Sequence, residues 1–242
     1  MLLQPLILIA ASGLAREVMT AVGAGIVYDV VGLLDDDVDL HGTTIGGAPV
    51  LGGVDTADRF PEARFVVCAG SGRARQRIVE RLSDAGVGSG RYATVVHPGS
   101  EVPASCSVGV GSTLLANVTL TADVVIGEHA VLMPQVVLTH DDRVGDFATL
   151  CAGVVLGGGV DVGSGAYLGM NASVRQNLRV GAGATLGMGS VLLRDLPDNE
   201  VWAGIPALEL TGSRQRPSLT VVDPDITAGH AEKRTMTGTA AR

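Results

Sequence analysis

The sequence has few aromatic residues, few cysteines and no long apolar run. Phe, Trp and Tyr make up 3% of its 242 residues, although 46% are hydrophobic, so the core must be built from aliphatic side chains. The cysteines Cys68, Cys106 and Cys151 are scattered and lack the spacing of metal ligands. This pattern indicates reduced thiols rather than a disulfide framework, and we expect no metal.

Positive charge is also scarce. The formal net charge is −8, which argues against nucleic acid or an anionic membrane surface as a partner. An anionic ligand would therefore need a local device, such as a helix N-terminus or an arginine. No apolar stretch has the length of a membrane span and no signal-peptide pattern is present, which predicts a cytoplasmic protein.

From Val102 to Leu192, every sixth residue is a branched aliphatic. A period of six fits neither a helix nor a half-buried strand and is typical of a hexapeptide-repeat parallel β-helix, in which three hexads close one triangular coil. Mostly small or β-branched residues follow each aliphatic after four positions, and glycine often follows directly. The aliphatic positions are Val102, Val108, Leu114, Leu120, Ile126, Leu132, Leu138, Val144, Leu150, Leu156, Val162, Leu168, Val174, Val180, Leu186 and Leu192.

The hexad from Leu138 to Arg143 departs from the pattern. It places His140 and Asp141 in an otherwise apolar wall, and Asp142 stands where the other hexads have mostly a small or β-branched residue. A local violation of a consistent pattern is where function is expected.

The region before the repeat, residues 1–97, alternates apolar strands with amphipathic helices. Strands are predicted at 6–10, 30–34, 64–69 and 92–96, and helices at 14–24 and from about 72 to 82. This alternation predicts a Rossmann-like α/β domain with a small parallel sheet. The full domain division is 1–97, a β-helix at 98–212, and a flexible tail at 213–242 that could also strap across a neighbouring subunit.

Ligands of such sheets bind at the carboxyl ends of the strands. The candidate acceptor-binding residues there lie in two helix-opening turns and at the end of the second strand: Ser12, Gly13, Asp35, Asp36, Ser71 and Arg73. The G-x-G-x-x-G fingerprint is absent, which argues against a nicotinamide dehydrogenase. An alternative stays open, in which Ser12 only caps a helix and the aspartates form a solvated turn.

Several motifs occur together: an A-S-G turn at 11–13, L-D-D at 34–36, an H-P junction at 97–98, T-H-D-x-x-V-G-D-F at 139–147 and G-x-P-A at 204–207. With the repeat, they resemble the sialic-acid O-acetyltransferase (NeuD-like) family of sugar O-/N-acyltransferases over about residues 5–210. The resemblance implies a left-handed coil and a homotrimer with active sites between neighbouring β-helices. A nucleotide sugar would lie under the N-terminal domain, and acetyl-CoA would run along the coils.

The resemblance also implies roles for individual residues. His140 becomes the general base, supported by Asp141, and the cofactor contacts become Gly158, Gly204, Pro206 and Ala207. General-base catalysis by a histidine also suits acyl transfer on chemical grounds, because an attacking amine or hydroxyl must lose a proton and imidazole titrates near working pH. The sequence does not choose between N- and O-acylation.

Three positions depart from the family pattern. Leu14 and Thr149 stand where many relatives carry histidine, and Ala10 replaces the first glycine of the turn. These departures predict an altered acceptor site and leave a non-sugar amine acceptor open.

Two other functions compete with acyl transfer. A γ-type carbonic anhydrase shares the β-helix but needs three zinc-binding histidines, and the repeat has only His129 and His140. His129 has no motif support, and we expect it in a solvated turn. A non-catalytic hexapeptide scaffold or ligand-binding trimer is the second alternative.

Overall fold

The computed structural model describes residues 3–210 of the 242-residue chain. The tail predicted at 213–242 lies outside these residues, as does the end of the range 98–212. Two parts of the fold follow one another along these residues.

The first part is a five-stranded sheet with helices on both sides. Its elements are β1 Gln4–Ile9, α1 Gly13–Gly23, β2 Tyr28–Leu34, β3 Thr44–Ile45, β4 Ala48–Gly52, β5 Arg64–Val67 and α2 Gly72–Asp84, with short 3-10 helices at Val38–Leu40, Val54–Arg59 and Ser89–Arg91. The strand order is β3-β4-β2-β1-β5, parallel except for the β3–β4 pair.

The central strand β1 is apolar throughout because both faces of the sheet are covered. Leu6 and Leu8 pack with α1, whereas Ile7 and Ile9 face the side that carries Phe65 and Leu82. The β3–β4 hairpin was not predicted. Its signal is the Gly-Gly pair at 46–47, a sequence typical of a two-residue hairpin turn.

The prediction of a fourth strand at 92–96 in this sheet is wrong, because the segment pairs mainly with the repeat. Only β6, Val95–Val96, is a strand, and it pairs in parallel with Thr113–Leu114 of the repeat. Tyr92 retains a single bridge to Phe65 at the sheet edge. The reason is the six-residue register, which extends back to Val96, so this segment forms the first rung of the β-helix.

The repeat forms two-residue strands stacked in parallel with a register of 18 residues per coil. They are β7 Ser107–Val108, β8 Thr113–Leu114, β9 Thr119–Leu120, β10 Val125–Ile126, β11 Val131–Leu132, β12 Val137–Leu138, β13 Arg143–Val144, β14 Thr149–Leu150, β15 Val155–Leu156, β16 Asp161–Val162, β17 Tyr167–Leu168, β18 Ser173–Val174, β19 Arg179–Val180, β20 Thr185–Leu186 and β21 Val191–Leu192; β22 Val201–Ala203 and β23 Leu208–Glu209 close the end.

These strands form three faces. The first face comprises β7, β10, β13, β16 and β19; the second comprises β6, β8, β11, β14, β17, β20, β22 and β23; the third comprises β9, β12, β15, β18 and β21. The second residue of each two-residue strand from β6 to β21 points inward and builds one continuous aliphatic core, which Trp202 joins at the end of the β-helix. Val102 is the exception to the predicted series, because it lies outside the strands and is 36% exposed.

The predicted fold class, a Rossmann-like domain followed by a left-handed parallel β-helix, is confirmed. The α/β part packs on the second face, where Leu115 and Val131 share a core with Leu14 and Val18 of α1. Within residues 3–210, no helix combines the length and the hydropathy needed to cross a bilayer.

Candidate functional site

His140 lies in the turn between β12 and β13, at the corner where the third face meets the first. Its Nδ1 atom is 2.7 Å from Oδ2 of Asp141, and both side chains are about two-thirds exposed, at 68% and 66%. Asp141 has a φ of 63°, which turns the chain sharply at this point. The carboxylate can orient the imidazole and stabilise its cation, while the ring stays open to a substrate.

Gly158, one coil further on, leaves room for the imidazole. A Cβ atom at Gly158 would lie 2.4 Å from both Cε1 and Nε2 of His140. The N–H of the next residue, Gly159, donates to the His140 carbonyl oxygen at 2.9 Å. The His140 ring therefore rests against bare backbone, and any side chain at 158 would displace it.

Asp142 follows the pair but points inward and is fully buried. Its Oδ2 accepts the Thr139 N–H and its Oδ1 accepts the Val160 N–H, both at 2.8 Å. Burial raises the pKa of this carboxyl group to about 6, against the opposing effect of the two N–H donors.

The structure brings Asp35 to the turn that contains Ser12, at the carboxyl edge of the sheet. Oδ2 of Asp35 accepts the Ala11 N–H at 2.6 Å. The Ser12 hydroxyl donates to the Cys68 carbonyl oxygen at 2.6 Å and accepts the Ala15 N–H at 3.3 Å. Ser12 therefore caps α1, which Gly13 begins, and it also ties the turn to the neighbouring strand.

The other acceptor candidates separate. Ser71 is the N-cap of α2, and Arg73 is exposed on its first turn. Asp36 pairs with Arg81 at 2.6 Å, and this hydrogen bond lowers the pKa of the Asp36 carboxyl group. Asp36 and Arg81 line an open cavity of about 590 Å³ at the ends of β2 and β4, together with His41 and Arg59.

Arg75 supports the candidate site from within the fold, and the sequence did not single it out. It is fully buried, and its guanidinium donates only to neutral oxygens of both parts of the fold. The acceptors are the carbonyls of His129 (2.9 Å), Ala69 (2.9 Å), Gly70 (3.1 Å), Phe147 (2.8 Å) and Ala148 (2.9 Å) and the Thr149 hydroxyl (3.0 Å).

Burial lowers the pKa of Arg75 to about 10, so the guanidinium stays charged at neutral pH. A signal for its burial exists, because Gly72, Arg75 and Leu82 fall on one face of α2. The sequence alone does not separate Arg75 from its exposed neighbours Arg73 and Arg77. Arg75 joins the α/β part to the β-helix and so helps to set where the candidate acceptor residues lie.

The prediction of a solvated turn for His129 is wrong. The side chain is 2% exposed and lies between the rings of Tyr92 and Phe147, with centroid distances of 4.6 and 5.2 Å. Burial lowers the pKa of His129 to about 4. It lies on the corner between the first and second faces, so the two histidines of the repeat do not converge within the chain.

The predicted cofactor loop packs against the last coil. Gly204 donates its N–H to the Ser190 hydroxyl at 3.1 Å, and Ala207 donates to the Val191 carbonyl at 2.8 Å. Pro206 is exposed between them, and the neighbouring Ile205 is 76% exposed. Across residues 3–210, no group of three or more His, Cys, Asp or Glu side chains is arranged to hold a metal ion.

Comparison with known proteins adds independent findings. The family model described as the PglD N-terminal domain matches residues 5–82. No curated protein sequence matches the chain. Solved structures are similar over most of the chain, and the acetyltransferase domain of PglB from Neisseria gonorrhoeae FA1090 has a TM-score of 0.79 and 28% identity, covering 86% of this chain and 100% of that one. A second structure of that domain contains acetyl coenzyme A.

Perosamine N-acetyltransferase from Caulobacter crescentus is 30% identical, with a TM-score of 0.78 over 86% of this chain and 97% of its own. That structure is a histidine-to-asparagine variant with CoA and GDP-perosamine bound. WeeI from Acinetobacter baumannii AYE is 26% identical, with a TM-score of 0.73 over 85% of this chain and 99% of its own.

Proposed function

Because the chain belongs to the hexapeptide-repeat sugar N-acetyltransferases, we propose that it transfers an acetyl group from acetyl-CoA to the amine of a nucleotide-activated sugar, with His140 as the general base. The chain is an acyltransferase that uses acetyl-CoA, and the resemblance stated from its motifs is confirmed. The observation that carries the proposal is the His140–Asp141 pair, 2.7 Å apart and exposed beside Gly158.

The proposed reaction follows from this geometry. The acceptor amine attacks the thioester carbonyl, and Nε2 of His140 accepts the proton that the amine loses. Asp141, facing Nδ1, holds the ring and stabilises the imidazolium. The tetrahedral intermediate then collapses, the C–S bond breaks, and the CoA sulfur takes the proton from the imidazolium.

A backbone N–H is the donor we assign to the developing oxyanion. Gly157 and Gly159 already donate their N–H groups to the carbonyls of Val174 and His140, both at 2.9 Å. Gly158 lies between them beside the imidazole, so its N–H is the group we propose as the oxyanion donor. The Gly204–Ala207 loop, which packs on the last coil of the β-helix, would contact the distal part of CoA.

The acceptor class is supported by the relatives, because the perosamine N-acetyltransferase binds GDP-perosamine. In this chain we assign the nucleotide sugar to the strand-end edge that carries Ser12, Gly13 and Asp35. Ser71 and Arg73, at the start of α2, and Asp36, which lines the open cavity, are further candidate contacts.

Leu14 is only 7% exposed and belongs to the core of the α/β part. It offers no polar group at the position where many relatives carry histidine. The acceptor contact at this position must therefore differ, and a non-sugar amine is a second candidate acceptor.

The proposed assembly is a homotrimer with the site between subunits. The α/β part of the chain covers the second face and its corner with the first, through Arg75 and Gly72. His140 lies at the corner between the third and first faces. The chain therefore does not bring its own acceptor edge to its own base, and a neighbouring copy would complete the site.

The test is thiol release from acetyl-CoA against a panel of acceptors: nucleotide sugars with a free amine, the same sugars with a hydroxyl instead, simple amino sugars and non-sugar amines. Turnover confined to nucleotide amino sugars, with an added acetyl mass on the product, is the expected result. Turnover only with a hydroxyl or a non-sugar amine would overturn the acceptor assignment. CoA binding without any turnover would favour a ligand-binding trimer. Sedimentation equilibrium measures the assembly, and a monomer at catalytic concentrations would contradict the shared site.

A further inference from the structure

The turns that stack at the His140 corner have the same arrangement: the last residue of each turn points into the coil and is buried. In the four neighbouring turns this residue is apolar, whereas in the His140 turn it is the carboxylate of Asp142. The apolar residues are Val124, Val160, Leu178 and Leu196.

The backbone ladder also changes at this turn. In three neighbouring turns the first residue donates its N–H to a strand carbonyl of the next coil: Thr121 to Leu138 at 3.2 Å, Gly157 to Val174 at 2.9 Å and Arg175 to Leu192 at 3.1 Å. Thr139 donates its N–H to Oδ2 of Asp142 instead, at 2.8 Å. The Thr139 hydroxyl takes over the vacated carbonyl, that of Leu156, at 3.1 Å.

The second carboxylate oxygen ties the turn to the coil that carries Gly158. Oδ1 of Asp142 accepts the Val160 N–H at 2.8 Å. The segment that carries His140 is thus fixed on one side through Thr139 and on the other through the coil on which the imidazole rests. Burial of this carboxylate raises its pKa, and folding does not require a carboxylate here, because valine and leucine serve the neighbouring coils.

We propose that Asp142 and Thr139 are positioning residues that set the backbone of the turn so that the His140 imidazole stays between Asp141 and Gly158. The proposal rests on the proposed function, since it assumes that His140 is the base. Natural proteins accept a local loss of stability where a site must be held in place.

The experiment compares Asp142→Val, Asp142→Ser and Thr139→Val with the wild type in kcat, KM, CoA affinity and Tm. Valine matches Val124 and Val160, and serine matches the buried corner serine Ser112, which accepts the Ala130 N–H of the next coil. Both variants let the Thr139 N–H return to the Leu156 carbonyl. We expect kcat to fall about 10- to 100-fold in the Asp142 variants, because a small misplacement of a catalytic group is costly.

The same variants should keep CoA affinity and KM within about threefold, and Asp142→Val should keep or raise Tm. Thr139→Val should show a smaller loss of kcat. Ser100→Ala is the matched control: Ser100 accepts the Val118 N–H at 2.9 Å in a turn away from His140, so its loss should lower Tm and leave kcat unchanged.

Wild-type kcat in Asp142→Val or Asp142→Ser would overturn the proposal. A loss of activity that only follows a lower Tm, as for an ordinary core defect, would also overturn it. The proposed function fails separately: a His140→Asn variant with full turnover, or a wild type without turnover on any acceptor, would remove His140 as base, and the positioning role would fall with it.

Discussion

The buried guanidinium of Arg75 donates to the hydroxyl of Thr149 at 3.0 Å, and that hydroxyl donates in turn to the Gly70 carbonyl at 3.1 Å. A residue of α2 and a residue of the β-helix are thereby joined without any counter-ion for the charge. Thr149 is one of the positions that depart from the family pattern expected from the motifs, and its side chain is fully engaged in this contact. This position therefore belongs to the junction between the α/β part and the β-helix.

Arg75→Lys should destabilise the fold by about 3 kcal/mol, because a single ammonium cannot reach acceptors spread over both parts and leaves buried carbonyls unpaired. Chemical denaturation monitored by circular dichroism measures the loss. Arg77→Lys, on the exposed side of the same helix, is the control and should change stability by less than about 0.5 kcal/mol. Equal stability of the two variants would show that Arg75 does not clamp the junction.

His140→Asn should lower kcat by about 10² to 10⁴, because the proton acceptor is lost while the thioester and amine still bind. Asp141→Asn should lower kcat less, by about tenfold, since the imidazole remains but loses its oriented partner. Steady-state kinetics with thiol detection, together with calorimetric CoA titration, separate the two effects. A rise in the CoA Kd that accounts for the whole loss would assign these residues to binding rather than to proton transfer.

Gly158→Ala should displace the imidazole, because the new Cβ would lie 2.4 Å from the ring. We expect kcat to fall about tenfold or more with little change in Tm, since the side chain that must move is exposed. Gly159→Ala is a matched contrast: Gly159 has a φ of 72° and a Cβ there would lie 2.7 Å from the Asn177 side-chain oxygen. That variant should lose about 1–2 kcal/mol of stability. A Gly158→Ala enzyme as fast as the wild type would contradict the assigned position of His140.

His129 and Asp142 should give opposite pH dependences of stability between about pH 4 and 6. The folded pKa of His129, about 4, lies below its usual value, so the unfolded chain binds the proton first and stability falls on acidification. The folded pKa of Asp142, about 6, lies above its usual value, so its contribution is present in acid and is lost as pH rises through 6.

His129→Phe removes the contribution of His129. The stability of this variant relative to the wild type should be about 2 kcal/mol higher at pH 5 than at pH 7.5. Asp142→Val removes the contribution of Asp142 and should show the reverse difference. Urea denaturation at the two pH values measures both. Parallel pH profiles for the wild type and both variants would show that neither group titrates with a shifted pKa.

The sequence by itself determined the β-helix, because a register of six that stays unbroken over five coils has only one way to bury its aliphatic residues. It also determined the place of the His140–Asp141 pair, since a charged hexad in an apolar wall stands out without any coordinates. The same register extends back to Val96 and so indicates that Val95–Val96 belongs to the β-helix. The prediction of this segment as a strand of the α/β sheet overlooked a signal that the sequence contains.

Only the tertiary structure decided which polar residues are buried between the two parts of the fold. Arg75 resembles its exposed neighbours in sequence, and His129 resembles a solvated turn residue. Their burial depends on how α2 docks on the coil, which is a long-range contact without a local signal. The direction of Asp142 was likewise undecided, because a corner residue points inward or outward according to the hydrogen bonds that the adjacent coil offers it.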